Sequence, residues 1–281
     1  MLVIVDSGST KADWHLIDQK KVKSNFSTVG FNPFFWTTGQ IFAELNKEVL
    51  HRMPTAEVSK IVFYGAGCSD VHRCMIVEKA LQQVFPNAKV EVEHDLLASA
   101  RACCLNTVGI ACILGTGSNS CSYDGKEIID NVTNLGHMVG DEGSGSYIGK
   151  MLIRGYFYRE MPEDIKTAFE AAYPMGEKAL LTEIYSVEAP NVYLASYSKF
   201  MSNHKHHPYI KGLVKEAFLE FTERHILKYD NNQNITVHFV GSVAFHFSDI
   251  LSQVLGEKGL TLGKIIKKPI DRLVQYHLEE H

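Results

Sequence analysis

Short apolar runs of strand length alternate with stretches of helical spacing along this chain, and that succession predicts an α/β protein. Residues 1–6 form an apolar run and 11–17 alternate loosely. The small polar link Asp6-Ser7-Gly8-Ser9-Thr10-Lys11 between them reads as the turn of a hairpin. Residues 20–28 add a third strand, and Gly30-Phe31-Asn32-Pro33 is a turn. Ile41, Leu45, Val49 and Leu50 then recur at helical spacing over 38–51. A buried strand over 60–64 ends in Gly65-Ala66-Gly67, a helix covers 71–85, a strand 89–92, and an alanine-rich helix 95–105.

The order then repeats. An apolar strand over 109–114 runs into Gly115-Thr116-Gly117-Ser118-Asn119-Ser120, and strands follow over 120–124 and 126–131, joined at the hairpin signal Asp124-Gly125. Strand, glycine turn and further strands thus occur twice, a sign of two related halves. Gly140 to Gly145 is a polar glycine-rich loop, and from there to 229 the pattern is almost wholly helical, with a long amphipathic stretch over 209–227. Residues 235–240 are a strand running into Gly241-Ser242 and a helix, and 269–280 is a closing helix that begins at Pro269. Strands followed by alternating helix and strand predict mixed sheets with helices packed on them.

Composition narrows the function classes. At 281 residues the chain makes one large or two small domains and buries a core without staples. Its 28 basic and 32 acidic residues leave a net charge of -4, which gives no support for nucleic-acid binding on a broad basic surface. No apolar run reaches the ~18 residues of a membrane helix, and an acid at Asp6 without a basic leader is no secretory signal. The six cysteines form no C-x-x-C pair, so free buried thiols in a reducing cytoplasm are expected.

The glycine turns carry the candidate chemistry. Successive N–H groups in such turns make anion-binding nests. Asp6-Ser7-Gly8-Ser9-Thr10-Lys11 sets an acid at a strand end, then hydroxyls, then a cation. An acid there can hold Mg²⁺ through water while hydroxyls and amides hold phosphate. Gly115-Thr116-Gly117-Ser118-Asn119 offers a second nest without an acid, and two such loops facing each other would clamp a triphosphate. Neither is a Walker loop nor a dinucleotide fingerprint.

Four motifs together, Asp6 to Thr10-Lys11, Gly115-Thr116-Gly117-Ser118-Asn119, Gly136-His137-x-x-Gly140-Asp141-Glu142-Gly143-Ser144 and Val240-Gly241-Ser242-Val243, make the chain resemble the N-acetylglucosamine kinase/BadF-type ATPase family of the actin/hexokinase superfamily, over essentially its whole length. The resemblance implies two actin-like (ribonuclease H-like) α/β domains with an active cleft between them, the first over 1–115 with 267–281 returning to it, the second over 116–266 with a helical insertion. It implies ATP and Mg²⁺ as cofactors and a small-molecule sugar as substrate, with neither nucleic acid nor membrane as partner. A homodimer is common among such proteins, and a cytoplasmic location is expected.

The resemblance assigns roles residue by residue. Ser7, Gly8, Thr10 and Lys11 fall in the first phosphate motif, Gly115, Thr116 and Gly117 in the second, and Gly241 and Ser242 in the adenosine motif, with Asp6 holding Mg²⁺ through water. The adenosine motif usually begins with a glycine where this chain has Val240, and a β-branched residue does not take positive φ easily. Asn32, Asn119 and Asp141 would contact the sugar, amides and carboxylates being suited to forking onto vicinal hydroxyls; Glu142 is a weaker candidate. Asp95, after a strand and opening a helix, would be the base that takes the acceptor's proton; by residue type alone it is a helix N-cap. His94 beside it reads as neutral and exposed. Relatives often carry a tryptophan just before the Gly-His motif, where this chain has Asn134-Leu135, so no stacking face is legible there.

The activity implied is transfer of phosphate from ATP to the 6-hydroxyl of an amino sugar, N-acetylglucosamine foremost. Two other readings are an ATPase activator of a dehydratase, which would need a Cys-Gly-Gly stretch that is absent, and a non-catalytic sugar- or nucleotide-binding regulator. Other features read as plain structure: His204-Lys205-His206-His207 as a solvated loop, Phe34-Phe35-Trp36 as core, and Cys68 as an inert thiol.

Overall fold

The structure, a computed structural model, describes residues 1–230 and 232–279. It divides into two compact units, Met1–Asn106 with the segment from Pro269 onward, and Thr107–Lys268.

The first unit is built on a five-stranded sheet. Its strands are β1 (Leu2–Ser7), β2 (Lys11–Asp18), β3 (Lys21–Val29), β4 (Lys60–Gly65) and β5 (Lys89–His94), in the order β3-β2-β1-β4-β5. The first three form an antiparallel meander, and β4 and β5 run parallel to β1 and to each other. Helices α1 (Thr38–Glu48) and α2 (Val71–Val84) cover one face, packing Ile41, Leu45, Val77 and Leu81 against Val3, Val5, Trp14 and Phe63. On the other face α3 (Asp95–Cys104) sets Ala98 and Ala102 against Ile4, Val62 and Tyr64. Because both faces are covered, β1 reads as a continuous apolar run and not as an alternation. Thr37 closes a capping box with Gln40 and so fixes where α1 starts.

The second unit repeats the plan. Its strands β6 (Gly109–Leu114), β7 (Ser118–Tyr123), β8 (Ile128–Asp130), β9 (Val237–Val240) and β10 (Leu262–Ile266) lie in the order β10-β9-β6-β7-β8, which is the first sheet's order read from its other edge. Strands β6, β7 and β8 are antiparallel, and β9 and β10 run parallel to β6 and to each other. Between β8 and β9 lies the helical segment α4 (Gly136–Val139), α5 (Gly145–Phe157), α6 (Glu163–Ala172), α7 (Gly176–Ser186), α8 (Pro190–Ser196), α9 (Ser198–Asn203) and α10 (Pro208–Arg224); α11 (Ser242–His246) and α12 (Ser248–Glu257) separate β9 from β10. The closing helix α13 (Ile270–Glu279) returns to the first unit, where Leu273 and Val274 join α3 against the sheet.

Two sequence expectations change. The division falls before β6, not after residue 115, because β6 hydrogen-bonds to β7 and β9 and so is the central strand of the second sheet. Strand β10 was not legible: it is five residues long, carries Gly263, and slips register against β9 between Leu262 and Ile265. Glu280 and His281, at the end of the predicted closing helix and first domain, lie outside the described residues. Among the described residues no helix is long and apolar enough to cross a membrane.

Candidate active site

In the first unit the chemistry-bearing residues gather at the carboxyl ends of β1, β4 and β5. Asp6, the last residue but one of β1, lies opposite Asp13 of β2 and Tyr64 of β4. Strand alternation puts it on the face of Ile4, the face that α3 covers. The turn that follows is closed by Gly8 N–H donating to Lys11 O at 2.9 Å. The chain leaving β3 presses on it so closely that a Cβ at Gly30 would stand 1.9 Å from Gly8 O. Gly8, Ser9 and Thr10 are exposed.

Two members of the predicted phosphate turn have other work. Ser7 is fully buried, and its Oγ accepts from Phe31 N–H at 3.0 Å, so it anchors the β3 exit instead of facing a ligand. Lys11 Nζ lies 2.8 Å from Asp13 Oδ1. Asn32 is buried and holds its turn with both ends of its amide: Oδ1 accepts from Phe34 N–H at 3.0 Å, and Nδ2 donates to Ser9 Oγ at 2.9 Å. Gly67, at φ +81°, leaves room for this amide, since a Cβ there would meet Asn32 Oδ1 at 2.3 Å.

Asp95 is the first residue of α3 and not its cap. The cap is His94, whose Nδ1 accepts from Leu96 N–H at 2.9 Å. The Asp95 carboxylate is therefore free of the capping role that its residue type suggested. It lies at the positive end of the helix, with Oδ1 3.0 Å from His94 Nδ1. His94 is half-buried, not exposed, and burial, which disfavours its charged form, is outweighed by the hydrogen bond and charge of Asp95, so its pKa is raised. Nearby, burial pushes the Cys68 thiol far up, which suits an inert side chain. Trp36 packs edge-on to Phe31 as expected of core, but Phe34 and Phe35 are exposed.

In the second unit the turn between β6 and β7 is held from three sides. Gly115 N–H donates to Gly117 O at 3.0 Å, and the start of α5 docks on the turn through Gly145 N–H to Gly115 O (2.8 Å) and Ser146 N–H to Thr116 O (3.0 Å). Beneath it lies Asp141, 7% exposed and at φ +60°. Its Oδ1 accepts from Ser118 N–H at 3.1 Å and from Asn134 Nδ2 at 2.8 Å. A Cβ at Gly117 would stand 3.1 Å from both carboxylate oxygens, so the turn lies tight against Asp141. Burial raises the Asp141 pKa, against the opposing pull of the Ser118 amide and the charges of His137 and Lys150. Helix α5 is capped by Ser144, not by Asp141.

Asn134 escaped the sequence reading. Its amide also donates to Ser118 O, and its Oδ1 accepts from Gly136 N–H, so it ties β7, α4 and Asp141 together. The available signal was an Asn two residues before the glycine of the Gly-His motif. Asn119 sits on β7, its Oδ1 accepting from Ser120 N–H at 2.9 Å and from Asn131 Nδ2 at 3.2 Å. Glu142 points to the end of α10, with His225 Nε2 at 3.5 Å and Arg224 Nε at 3.7 Å.

Val240 raises no conflict. It pairs within β9 to Ile113 and Ile266, and the positive φ falls on Gly241, at +123°. A Cβ at Gly241 would be 2.3 Å from Leu114 O, so the β9 exit and the β6–β7 turn touch backbone to backbone. Ser242 opens α11 and is exposed. The histidine-rich segment is folded and not a loose loop: His204 Nδ1 is 2.9 Å from Phe200 O, and His207 caps α10 and pairs with Asp164 at 3.1 Å. Among the described residues no group of three or more His, Cys, Asp or Glu could hold a metal.

The residues present fit a magnesium nucleotide. A carboxylate such as Asp6 suits Mg²⁺, which keeps most of its waters. Gly115 has open space where a Cβ would be, so its turn presents bare backbone.

Comparison with known proteins follows the same lines. No family profile matches the chain, and no curated protein sequence matches it. Among solved structures it is similar to a proposed N-acetylglucosamine kinase of Porphyromonas gingivalis, at 40% identity, with all of both chains covered and a TM-score of 0.96. It is also similar to a proposed N-acetylglucosamine kinase of Chromobacterium violaceum at 16% identity (98% of each chain, TM-score 0.71). The ethanolamine utilization protein EutJ of Carboxydothermus hydrogenoformans matches at 15% identity (98% of this chain, 88% of that one, TM-score 0.58). The last two show a shared fold, that of the actin-like ATPases.

Proposed function

The chain belongs to the N-acetylglucosamine kinase/BadF-type ATPase family, and from that premise we propose that it is an ATP-dependent sugar kinase acting on the 6-hydroxyl of an amino sugar, with N-acetylglucosamine as the leading substrate. The observation that carries this reading is the 40% identity over both full chains to the Porphyromonas gingivalis protein. The Asp95 carboxylate at the start of α3, which caps no helix, supports it.

Phosphoryl transfer asks the protein for position and charge more than for covalent chemistry. Asp95 takes the proton of the acceptor hydroxyl as the oxygen attacks. Asp6 would hold Mg²⁺ through water, and the ion would supply positive charge to offset that of the phosphates. Thr10 with the exposed turn at residues 8–10 in the first unit, and Thr116 with the turn at 115–117 in the second, hold phosphate oxygens. Gly241 and Ser242 receive the adenosine. Asn32, Asn119 and Asp141 orient the sugar, Asp141 through the oxygen that Ser118 and Asn134 do not use. Ser7 and Asn134 act one step back, by fixing the turns. A cytoplasmic enzyme acting as a homodimer is consistent with this reading.

The test is ADP release from Mg·ATP against a panel of hexoses and amino sugars. Release stimulated by N-acetylglucosamine above the water background is expected. A panel in which no sugar stimulates turnover would overturn the reading.

A further inference from the structure

One ring nitrogen in the first unit has two neighbours with opposite needs. His94 Nδ1 is 2.9 Å from Leu96 N–H, a donor, and 3.0 Å from Asp95 Oδ1, an acceptor. A neutral imidazole with a bare Nδ1 satisfies the amide and sets a lone pair against the carboxylate. An imidazolium with a proton on Nδ1 satisfies the carboxylate and leaves the amide without its cap. Both arrangements fit within the same side-chain positions, so a single protonation switches the partner.

We propose that His94 is a positioning residue that governs when Asp95 is available: as an imidazolium it claims Asp95 Oδ1, and as a neutral ring it turns the same nitrogen to Leu96 N–H and leaves the carboxylate to the acceptor hydroxyl. This rests on the reading of Asp95 as the base. The surroundings favour such a switch. His94 is held in place as the N-cap of α3, with its side chain 30% exposed, so the proton can exchange with solvent while the ring stays put. Burial opposes its charged form and Asp95 favours it, with Asp95 prevailing. Among the described residues, Asp95 is the charged group that raises it. The helix terminus disfavours the cation as well, which sharpens the dependence on Asp95. The consequence is kinetic. Turnover falls on the acid side of its pH profile as His94 gains its proton, and it does so above the ordinary histidine value of about 6.5.

Two measurements test this. The first needs no turnover: the His94 ring is followed by ¹H–¹⁵N NMR against pH in the wild type and in Asp95→Asn. The midpoint is expected above about 6.5 in the wild type and below it in the variant, where burial acts without a carboxylate. Equal midpoints would overturn the switch. The second is the pH profile of sugar phosphorylation in His94→Asn, whose amide oxygen keeps the cap on Leu96 N–H but does not titrate in this range. The acid-side inflection is expected to move down by about one pH unit, whatever the height of the plateau. A changed Tm with an unmoved inflection would mean that His94 is a cap and nothing more. Turnover kept by Asp95→Asn would overturn the base assignment and this inference with it. Turnover lost in Asp95→Asn with the inflection unmoved in His94→Asn would overturn this inference alone.

Discussion

The two units use one strand plan but organise their glycine turns with opposite chemistry. In the first, the turn after β1 is anchored by a neutral hydroxyl, Ser7 Oγ, bonded to Phe31 N–H, and the acid proposed for catalysis stands apart at the start of α3. In the second, the turn after β6 is anchored by a buried carboxylate, Asp141, held by Ser118 N–H and Asn134 Nδ2. A hydroxyl satisfies a buried amide at little cost, whereas a carboxylate out of water is expensive unless it is paired. The second arrangement is thus poor design for stability alone, and its backbone at φ +60° adds strain. The difference teaches that the second turn carries a group that stability alone does not ask for, and Asp141 is a group the proposed function gives to the sugar.

The comparison can be broken at each unit. The largest effect is expected from Asp95→Asn: because the carboxylate caps nothing, kcat should fall by about 10³-fold while Tm hardly moves. A fall in Tm without a fall in kcat would show that the acid is structural. Gly241→Ala should cost about 3 kcal/mol of stability, because the methyl meets Leu114 O and the backbone is held at φ +123°; a urea midpoint equal to wild type would mean that the β9 exit is loose.

Ser7→Ala should cost about 2 kcal/mol by leaving Phe31 N–H buried and unpaired. Its KM for ATP should change little, which separates an anchor from a phosphate ligand; a large rise in KM with Tm unchanged would restore the ligand role. Asp141→Asn should do the reverse, raising the KM for sugar while raising Tm near neutral pH, since Asn tolerates positive φ and carries no charge. The sign follows from the raised pKa of Asp141. Its folded form holds a proton more readily than its unfolded form, so this group's favourable contribution is complete below the unfolded value, about 3.9, and is lost as pH rises through the folded value. The Tm gap between Asp141→Asn and wild type should therefore close on acidification, and a gap that widens would contradict the burial argument.

Much of this was legible in the sequence because it depended on local pattern. The apolar runs and helical spacing of the first unit placed its sheet and helices, and the glycine turns marked where β1 and β6 break into loops. What failed depended on contacts that no spacing reveals. Ser7 looked like a phosphate ligand because it lies in the Asp6–Lys11 turn, but the backbone of Phe31 takes its hydroxyl. For Asp95, residue type alone pointed to a cap and the family resemblance to a base, and it is His94 that caps α3. Asn134 was read only as a missing aromatic, while its amide ties down Asp141. Val240 looked like a misfit, although the positive φ belongs to Gly241 alone. Strand β10, five residues with a glycine inside, is a strand because β9 pairs with it.

The central claim, transfer of phosphate to the 6-oxygen of an amino sugar, is met most directly by ³¹P–¹H correlation NMR of the product formed from Mg·ATP and N-acetylglucosamine. The account predicts a phosphate coupled to the two protons on carbon 6 and an equivalent amount of ADP. Phosphate coupled to the anomeric proton, or ADP accompanied only by inorganic phosphate, would contradict it.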